Sequence, residues 1–215
     1  MRFQDTPELA EWRTQVRQFV DTHWRAQSKP GEEEDSMEGP TDMSRTKVWL
    51  DKLAENGWIA AAWPKKYGGA DMSVLEQFVL NQELHEAGAP TSRQMLNLVG
   101  PTIMLHGTEE QRAEHLPPML RGEVGWCQGF SEPGSGSDLA SLQTRAVRDG
   151  DDYVVNGQKI WTSGAHRADW IFMMARTDAD APKHRGISYL LVNMKNPGIT
   201  VRPLINMANG HVFNE

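Results

Sequence analysis

Two clusters of small, hydroxyl-bearing and aromatic residues carry the chemistry legible in this chain. The first is Gln128-Gly129-Phe130-Ser131-Glu132-Pro133-Gly134-Ser135-Gly136-Ser137-Asp138, a glycine-bearing loop that offers hydroxyls and backbone N–H groups with little side-chain bulk. Gly134 and Gly136 leave room for a ligand to approach the backbone, and Pro133 narrows the conformations beside them. The second is Asn156-Gly157-Gln158-Lys159-Ile160-Trp161-Thr162-Ser163-Gly164, which delivers a tryptophan and two further hydroxyls. Together they suit a flat heterocycle with a polar rim and one apolar face. A flavin has those features.

Other chemistries find less support. Gly134-Ser135-Gly136 lacks the third glycine and the following helix of a dinucleotide fingerprint, and no Gly-Lys-Ser/Thr phosphate loop occurs. His23, His85, His106, His115, His166, His184 and His211 show no paired metal spacing, and Cys127 has no neighbouring Cys or His, so no metal is expected. A net charge of −7 with scattered Lys and Arg argues against a nucleic-acid face. No apolar run approaches the roughly 18 residues of a membrane span. The start of the chain shows no signal-peptide core, and a single cysteine makes no internal disulfide, so a reducing cytoplasm is the expected compartment.

The elements that position these clusters read as helices first and strands second. Thr6 and Pro7 open a helix whose Leu9, Trp12, Val16, Phe19 and Val20 recur at helical spacing. A second helix is predicted from about Ser44 to Asn56, with Val48, Trp49, Leu50 and Leu53 inward, and residues 25 to 42 read as a solvated acidic loop. Ser73 to Glu76 and Thr108 to Gln111 are capping-box patterns opening two more helices, and Thr91 to His106 supplies another, with Thr91, Gln94, Met95 and Leu98 on one face. Pro117 and Pro118 are expected to disturb the helix from Thr108.

Beyond Gly122 the hydrophobic period drops from about 3.6 to 2. Predicted strands are Val124 to Phe130, Leu142 to Arg148, Tyr153 to Val155, Lys159 to Thr162, Trp170 to Ala175, Ile187 to Val192 and Ile199 to Pro203. Asn156-Gly157 fits a two-residue hairpin turn into the Lys159 strand. The expectation is an α-helical domain over residues 1–122 and a β-domain over 123–215.

The same residues resemble the acyl-CoA dehydrogenase family of FAD enzymes. The likeness lies in Ser131-Glu132-Pro133-Gly134-Ser135-Gly136-Ser137-Asp138 and in Asn156-Gly157-Gln158-Lys159-Ile160-Trp161-Thr162-Ser163. Trp63-Pro64-Lys65-Lys66-Tyr67-Gly68-Gly69 and Gly107-Thr108-Glu109-Glu110-Gln111-Arg112 are similar to the family as well, so it extends from about residue 5 to the end. It implies an α+β protein: a helical N-terminal domain, then an antiparallel β-barrel or sandwich. The family's C-terminal four-helix bundle is missing, and the chain is expected to be incomplete.

The resemblance also implies roles. Phe130 and Ser131 would lie against the isoalloxazine ring, with Gln128 just behind. Gly136 and Ser137 would face the pyrophosphate and the pantetheine arm of an acyl-CoA. Trp161 would cover a ring face, with Thr162 and Ser163 beside the rim, and Gln94 would stand in the wall of the acyl pocket. The implied reaction is α,β-dehydrogenation of an acyl-CoA, with an electron-transfer flavoprotein as acceptor and a homo- or hetero-oligomeric assembly. In the family the catalytic base lies in the bundle, so no catalytic residue is assigned, and Glu132 reads as structural. The alternatives are an acyl-CoA oxidase or flavin monooxygenase of the same superfamily, or a noncatalytic partner subunit or fragment contributing half of a flavin site.

Overall fold

The computed structural model describes residues 4–27, 43–91 and 95–215, and these fall into two units, Met1–Glu123 and Val124–Glu215. In the first, the helices are α1 (Pro7–His23), α2 (Met43–Glu55), α3 (Val74–Glu86), α4 (Leu96–His106) and α5 (Glu109–Arg121). Thr6 caps α1 by accepting from the Leu9 N–H at 3.4 Å, and both capping boxes close as the sequence predicts.

Helix α1 lies along α3, burying Val16 and Val20, and Trp12 Nε1 donates to the Glu76 carbonyl at 3.0 Å. One buried carboxylate fastens the pair. Glu83 on α3 accepts from Arg13 Nη1 at 2.9 Å and from Arg17 Nη2 at 2.7 Å. Arg17, joined by Arg13, holds that carboxyl below the usual carboxylate range although burial pushes the other way.

Three expectations in this unit need correction. On α2, Trp49 and Leu53 are buried but Val48 faces solvent. Successive helical residues are rotated by about 100°, so Val48, Trp49 and Leu50 cannot all point inward. Helix α4 begins at Leu96, after Met95 takes a left-handed φ of 69° that breaks any helix running from Thr91. Thr91, Met95 and Leu98 therefore share no helical face, Leu98 is 49% exposed, and Gln94 lies outside the described residues. Helix α5 continues through Pro117 and Pro118 to Arg121. The carbonyls left without helical donors belong to Ala113 and Glu114, both exposed to water. Trp63 is buried with its ring against Gly100, where an added Cβ would stand 1.9 Å from Cζ2, so this motif residue is core packing.

The second unit contains β1 (Trp126–Gly129), β2 (Arg145–Asp149), β3 (Asp152–Asn156), β4 (Trp170–Arg176), β5 (Ile187–Asn193), β6 (Pro203–Ile205) and β7 (His211–Asn214). Strand β4 is the hub. It runs parallel to β1, with Trp126 opposite Trp170, and antiparallel to β5, with Met173 opposite Leu190. At its far end Arg176 meets Arg145 of β2 in parallel, while β2 and β3 form an antiparallel hairpin. Strands β6 and β7 make a separate two-stranded sheet.

Helices thus precede strands as expected, but the sheet is mixed rather than antiparallel, and no closed barrel occurs among the described residues. The cause is the long excursion between β1 and β4, which carries both clusters and the β2–β3 hairpin and so lets β4 return parallel. Lys159 to Thr162 forms no strand, and of Ile199 to Pro203 only Pro203 enters one. Cys127, Ala146, Ala165, Ile171, Met173 and Ala175 form the core of this unit.

Candidate functional site

Strand β1 feeds the first cluster. Gln128 and Phe130 are half-buried, and Phe130 meets Phe172 edge-on at 5.7 Å. Glu132 and Ser135 then exchange backbone hydrogen bonds at 2.8 and 3.0 Å, closing a tight turn over Pro133-Gly134. Ser135 is buried and its hydroxyl donates to the Asp138 carbonyl at 3.0 Å, which gives it a structural purpose. Ser131 is half-buried, and Gly136 and Ser137 are exposed.

The second cluster is not a hairpin. Strand β3 ends at Asn156, and the turn of the β2–β3 hairpin lies instead at Gly150-Asp151. Gly157 has an ordinary φ, and its role is close approach: an added Cβ would stand 2.2 Å from Thr144 Oγ1. From there the chain crosses directly to the first cluster. The Ile160 N–H donates to the Ser131 carbonyl at 2.9 Å, and Lys159 Nζ donates to Glu132 Oε1 at 2.8 Å and to the Phe130 carbonyl at 3.1 Å.

Glu132 is the lynchpin of this crossing. Its carboxylate also accepts from the Gln143 N–H at 2.6 Å and the Thr144 N–H at 3.0 Å, and the side chains of Lys159 and Glu132 are only 9% and 6% exposed. Burial pushes the carboxyl up, but the hydrogen bonds from Lys159, Thr144 and Gln143 prevail and hold it at about 2. Burial also draws the Lys159 ammonium down, against the pull of the carboxylate. A buried ion pair with its remaining lone pairs satisfied fixes geometry, as its role here requires. That reading agrees with Glu132 being structural.

Trp161 emerges beyond the crossing at the surface, 59% exposed, with a left-handed φ of 59°. For a bulky residue this is an outlier, costing on the order of 1–3 kcal/mol, and such outliers cluster at ligand sites. Its ring meets Phe213 edge-on at 5.9 Å. Thr162 is buried and Ser163 half-buried.

The residues present fit a flavin. An added Cβ at Gly134 or Gly136 would meet nothing within 4 Å, so the loop borders open space. The clusters contribute an exposed indole face and, at Ser131, Ser137 and Ser163, hydroxyls available at or near the surface. Cys127 takes no part: it is fully buried and its thiol is pushed up to about 12 by that burial. Sequence reasoning missed Asn214 and Phe213, which hold Trp161 and Thr162 from the far end of the unit. No local pattern pointed to those two residues; the crossing itself had a signal, the opposite charges of Glu132 and Lys159 in the two clusters.

Two sequence patterns of known proteins match the chain: "Acyl-CoA dehydrogenase, N-terminal domain" over residues 6–123 and "Acyl-CoA dehydrogenase, middle domain" over residues 127–212. The chain belongs to the acyl-CoA dehydrogenase family. Among its relatives, the acyl-CoA dehydrogenase FadE29 of Mycobacterium tuberculosis is 39% identical over 97% of this chain and 53% of its own length. FadE34 of the same organism is 51% identical over 76% of this chain and 23% of its own. The chain spans about half the length of FadE29 and a quarter or less of FadE34. Of solved structures, the Tcur3481-Tcur3483 steroid ACAD superposes with a TM-score of 0.82 at 40% identity, covering 100% of this chain and 55% of that one. The ChsE4-ChsE5 complex from Mycobacterium tuberculosis follows at 0.81 and 38%, covering 100% and 54%. Members of this family therefore include subunits of two-component complexes. No helix among the described residues is long and apolar enough to cross a membrane.

Proposed function

We propose that this chain supplies the flavin-facing β-unit of an FAD-dependent acyl-CoA dehydrogenase. The observation that carries the reading is the closure of the two clusters on each other through Glu132 and Lys159, which leaves Trp161 exposed in a left-handed backbone beside Ser131 and Ser163. Bound FAD would supply the acceptor for the hydride that leaves the β-carbon of the acyl-CoA.

This chain's residues would do the holding. Phe130 and Trp161 bound the ring with apolar faces. Ser131 and the adjoining backbone N–H groups donate to its polar edge, where negative charge develops during reduction, in the way preorganised donors stabilise other developing anions. Gly136 and Ser137 admit the pyrophosphate and the pantetheine arm, and Gln128 stands behind the ring. Removal of the α-proton needs a carboxylate that we assign to none of this chain's glutamates. Glu132 and Glu83 are buried carboxylates already committed to cations, Lys159 for the first and Arg13 with Arg17 for the second, and the base belongs to the part of the relatives that this chain does not span.

A second reading, that the chain is one component of a two-subunit enzyme, is favoured by its likeness to the steroid ACAD and to the ChsE4-ChsE5 complex. A bulky polycyclic acyl-CoA then enters the substrate panel. The test is FAD retention and turnover of a panel of acyl-CoAs with an artificial acceptor and with electron-transfer flavoprotein, by the chain alone, with candidate partners, and extended through the downstream reading frame. FAD bound by none of these preparations would overturn the site. Oxygen consumption in place of dye reduction would point to the oxidase or monooxygenase alternative.

A further inference from the structure

The left-handed Trp161 needs neighbours that enforce it, and they come from β7. Thr162 and Asn214 exchange backbone hydrogen bonds at 3.0 and 3.1 Å, and the Gly164 N–H donates to the Val212 carbonyl at 3.0 Å. The Asn214 side chain adds a third bond. Its Nδ2 donates to the Thr162 carbonyl at 3.0 Å, and Asn214 is completely buried.

The rest of that amide is committed too. Nδ2 stands 3.1 Å from His166 Nδ1, and Oδ1 stands 2.8 Å from His211 Nε2. The two imidazoles stack on each other at 3.9 Å, inclined by 24°. One assignment satisfies every contact: His166 with a bare Nδ1, His211 carrying its proton on Nε2, and the amide donating to Thr162. Flipping the amide would set Oδ1 against the Thr162 carbonyl and Nδ2 against the His211 N–H.

We propose that Asn214 is the positioning residue of the Trp161–Ser163 segment, and that the stacked imidazoles of His166 and His211 lock its amide in the one orientation that donates to Thr162. The functional importance of that segment rests on the flavin reading above, whereas the lock itself does not.

The surroundings make the lock pH-sensitive. The histidines border a cleft of about 330 Å³ shared with Lys195, Met194, Val201 and Pro203 from the neighbouring segments, and no carboxylate lines it. Arg167 follows His166 on the same turn, and Glu215, next along β7, is engaged by Gln158 Nε2 at 2.9 Å. Burial, His211 and Arg167 together depress the His166 pKa below 6.5, against the pull of Asn214. In the neutral ring the donor Nδ2 of Asn214 at 3.1 Å requires Nδ1 to be the bare nitrogen. The His166 imidazolium, formed as pH falls below 6.5, would aim an N–H at the Asn214 Nδ2 and oppose the lock.

The test uses NMR on the flavin-free 215-residue chain, following the Trp161 indole N–H resonance and the imidazole titrations. Asn214→Asp keeps the side chain's shape but removes the donor to Thr162. It should move the Trp161 resonance at neutral pH, because the Thr162 carbonyl then faces a carboxylate oxygen in place of its donor. In wild type the Trp161 resonance should move on acidification in step with His166. FAD affinity, where it is measurable, should fall about tenfold with the loss of one hydrogen bond to a buried carbonyl. A Trp161 resonance unmoved by Asn214→Asp overturns the proposal. Should that variant fail to fold, the double variant His166→Ala/His211→Ala removes only the amide's outer partners, and an unmoved resonance there overturns it equally. Absence of FAD binding by the wild-type chain alone, with candidate partners and in extended form sinks the flavin reading alone, because the Trp161 resonance still decides the lock.

Discussion

Replacing Glu132 with Gln keeps the size of the side chain and removes the charge that joins the two clusters. The carboxyl is held at about 2 against an ordinary 4.5, a gap worth about 3 kcal/mol of stability at neutral pH. Removing one partner of a buried ion pair costs ~3–5 kcal/mol by a separate route, in agreement with that figure. Because the folded-state pKa is depressed, the contribution is complete above 4.5 and is lost as pH falls through about 2. The variant has no such carboxyl and loses nothing by this route on acidification. The difference between wild type and Glu132→Gln should therefore be about 3 kcal/mol at pH 7, shrink by about 1 near pH 4 and by about 2 near pH 3.

Denaturant titrations at those pH values, followed by tryptophan fluorescence, measure the difference directly. Lys159→Met should resemble Glu132→Gln at pH 7, because it strands a buried carboxylate with only two backbone donors. The double variant should fall short of the sum of the singles by at least about 1 kcal/mol, as residues sharing one interaction do. A difference under about 1 kcal/mol at pH 7, or one that stays constant down to pH 3, would refute the reasoning, because both routes require a charged, paired Glu132.

Four further outcomes follow from the same geometry. Trp161→Ala should weaken FAD binding about fivefold or more, since a stacked aromatic contact is worth about 1 kcal/mol beyond buried area; a flavin fluorescence titration reads this. Ser131→Ala should lower the flavin's reduction potential with little change in affinity, because it removes a donor to developing negative charge; a spectroelectrochemical titration decides it. Glu83→Ala should destabilise the helical unit by about 1.5–3 kcal/mol, since Arg13 and Arg17 lose their charge-assisted hydrogen bonds to a buried carboxylate, with the loss visible as early melting of the helical circular dichroism. The chain alone should turn over acyl-CoA at least 10²- to 10⁴-fold more slowly than a version extended through the downstream frame, the range that a general base contributes.

The helical unit was legible wherever a local rule governs it. Capping boxes at Ser73 and Thr108 and the Thr6-Pro7 start depend on residues three or four apart, and each helix begins where they place it. Helix α4 was misjudged because Met95 adopts a left-handed backbone that its own type disfavours, an override from outside the local sequence. Strands β4 and β5 were readable because their apolar runs are long, but strand direction was not. Hydrophobic period says which face is buried and nothing about whether β1 meets β4 parallel or antiparallel.

The Asn156-Gly157 pair shows how a local rule can be right in type and wrong in place. Two residues that favour positive φ sit between two apolar stretches, which is the pattern of a hairpin turn. The chain takes its turn six residues earlier, at Gly150, and uses Gly157 for the space it leaves beside Thr144. A turn would have sent Lys159 back along β3. Extension instead carries it across to Glu132, whose carboxylate is fixed by the Gln143 and Thr144 N–H groups just ahead of β2. The same threonine thus receives the glycine and anchors the carboxylate, so the approach of Gly157 and the pairing of Lys159 are one packing event. Short-range propensity has no access to it, because the residues that decide it are 11 to 27 positions apart.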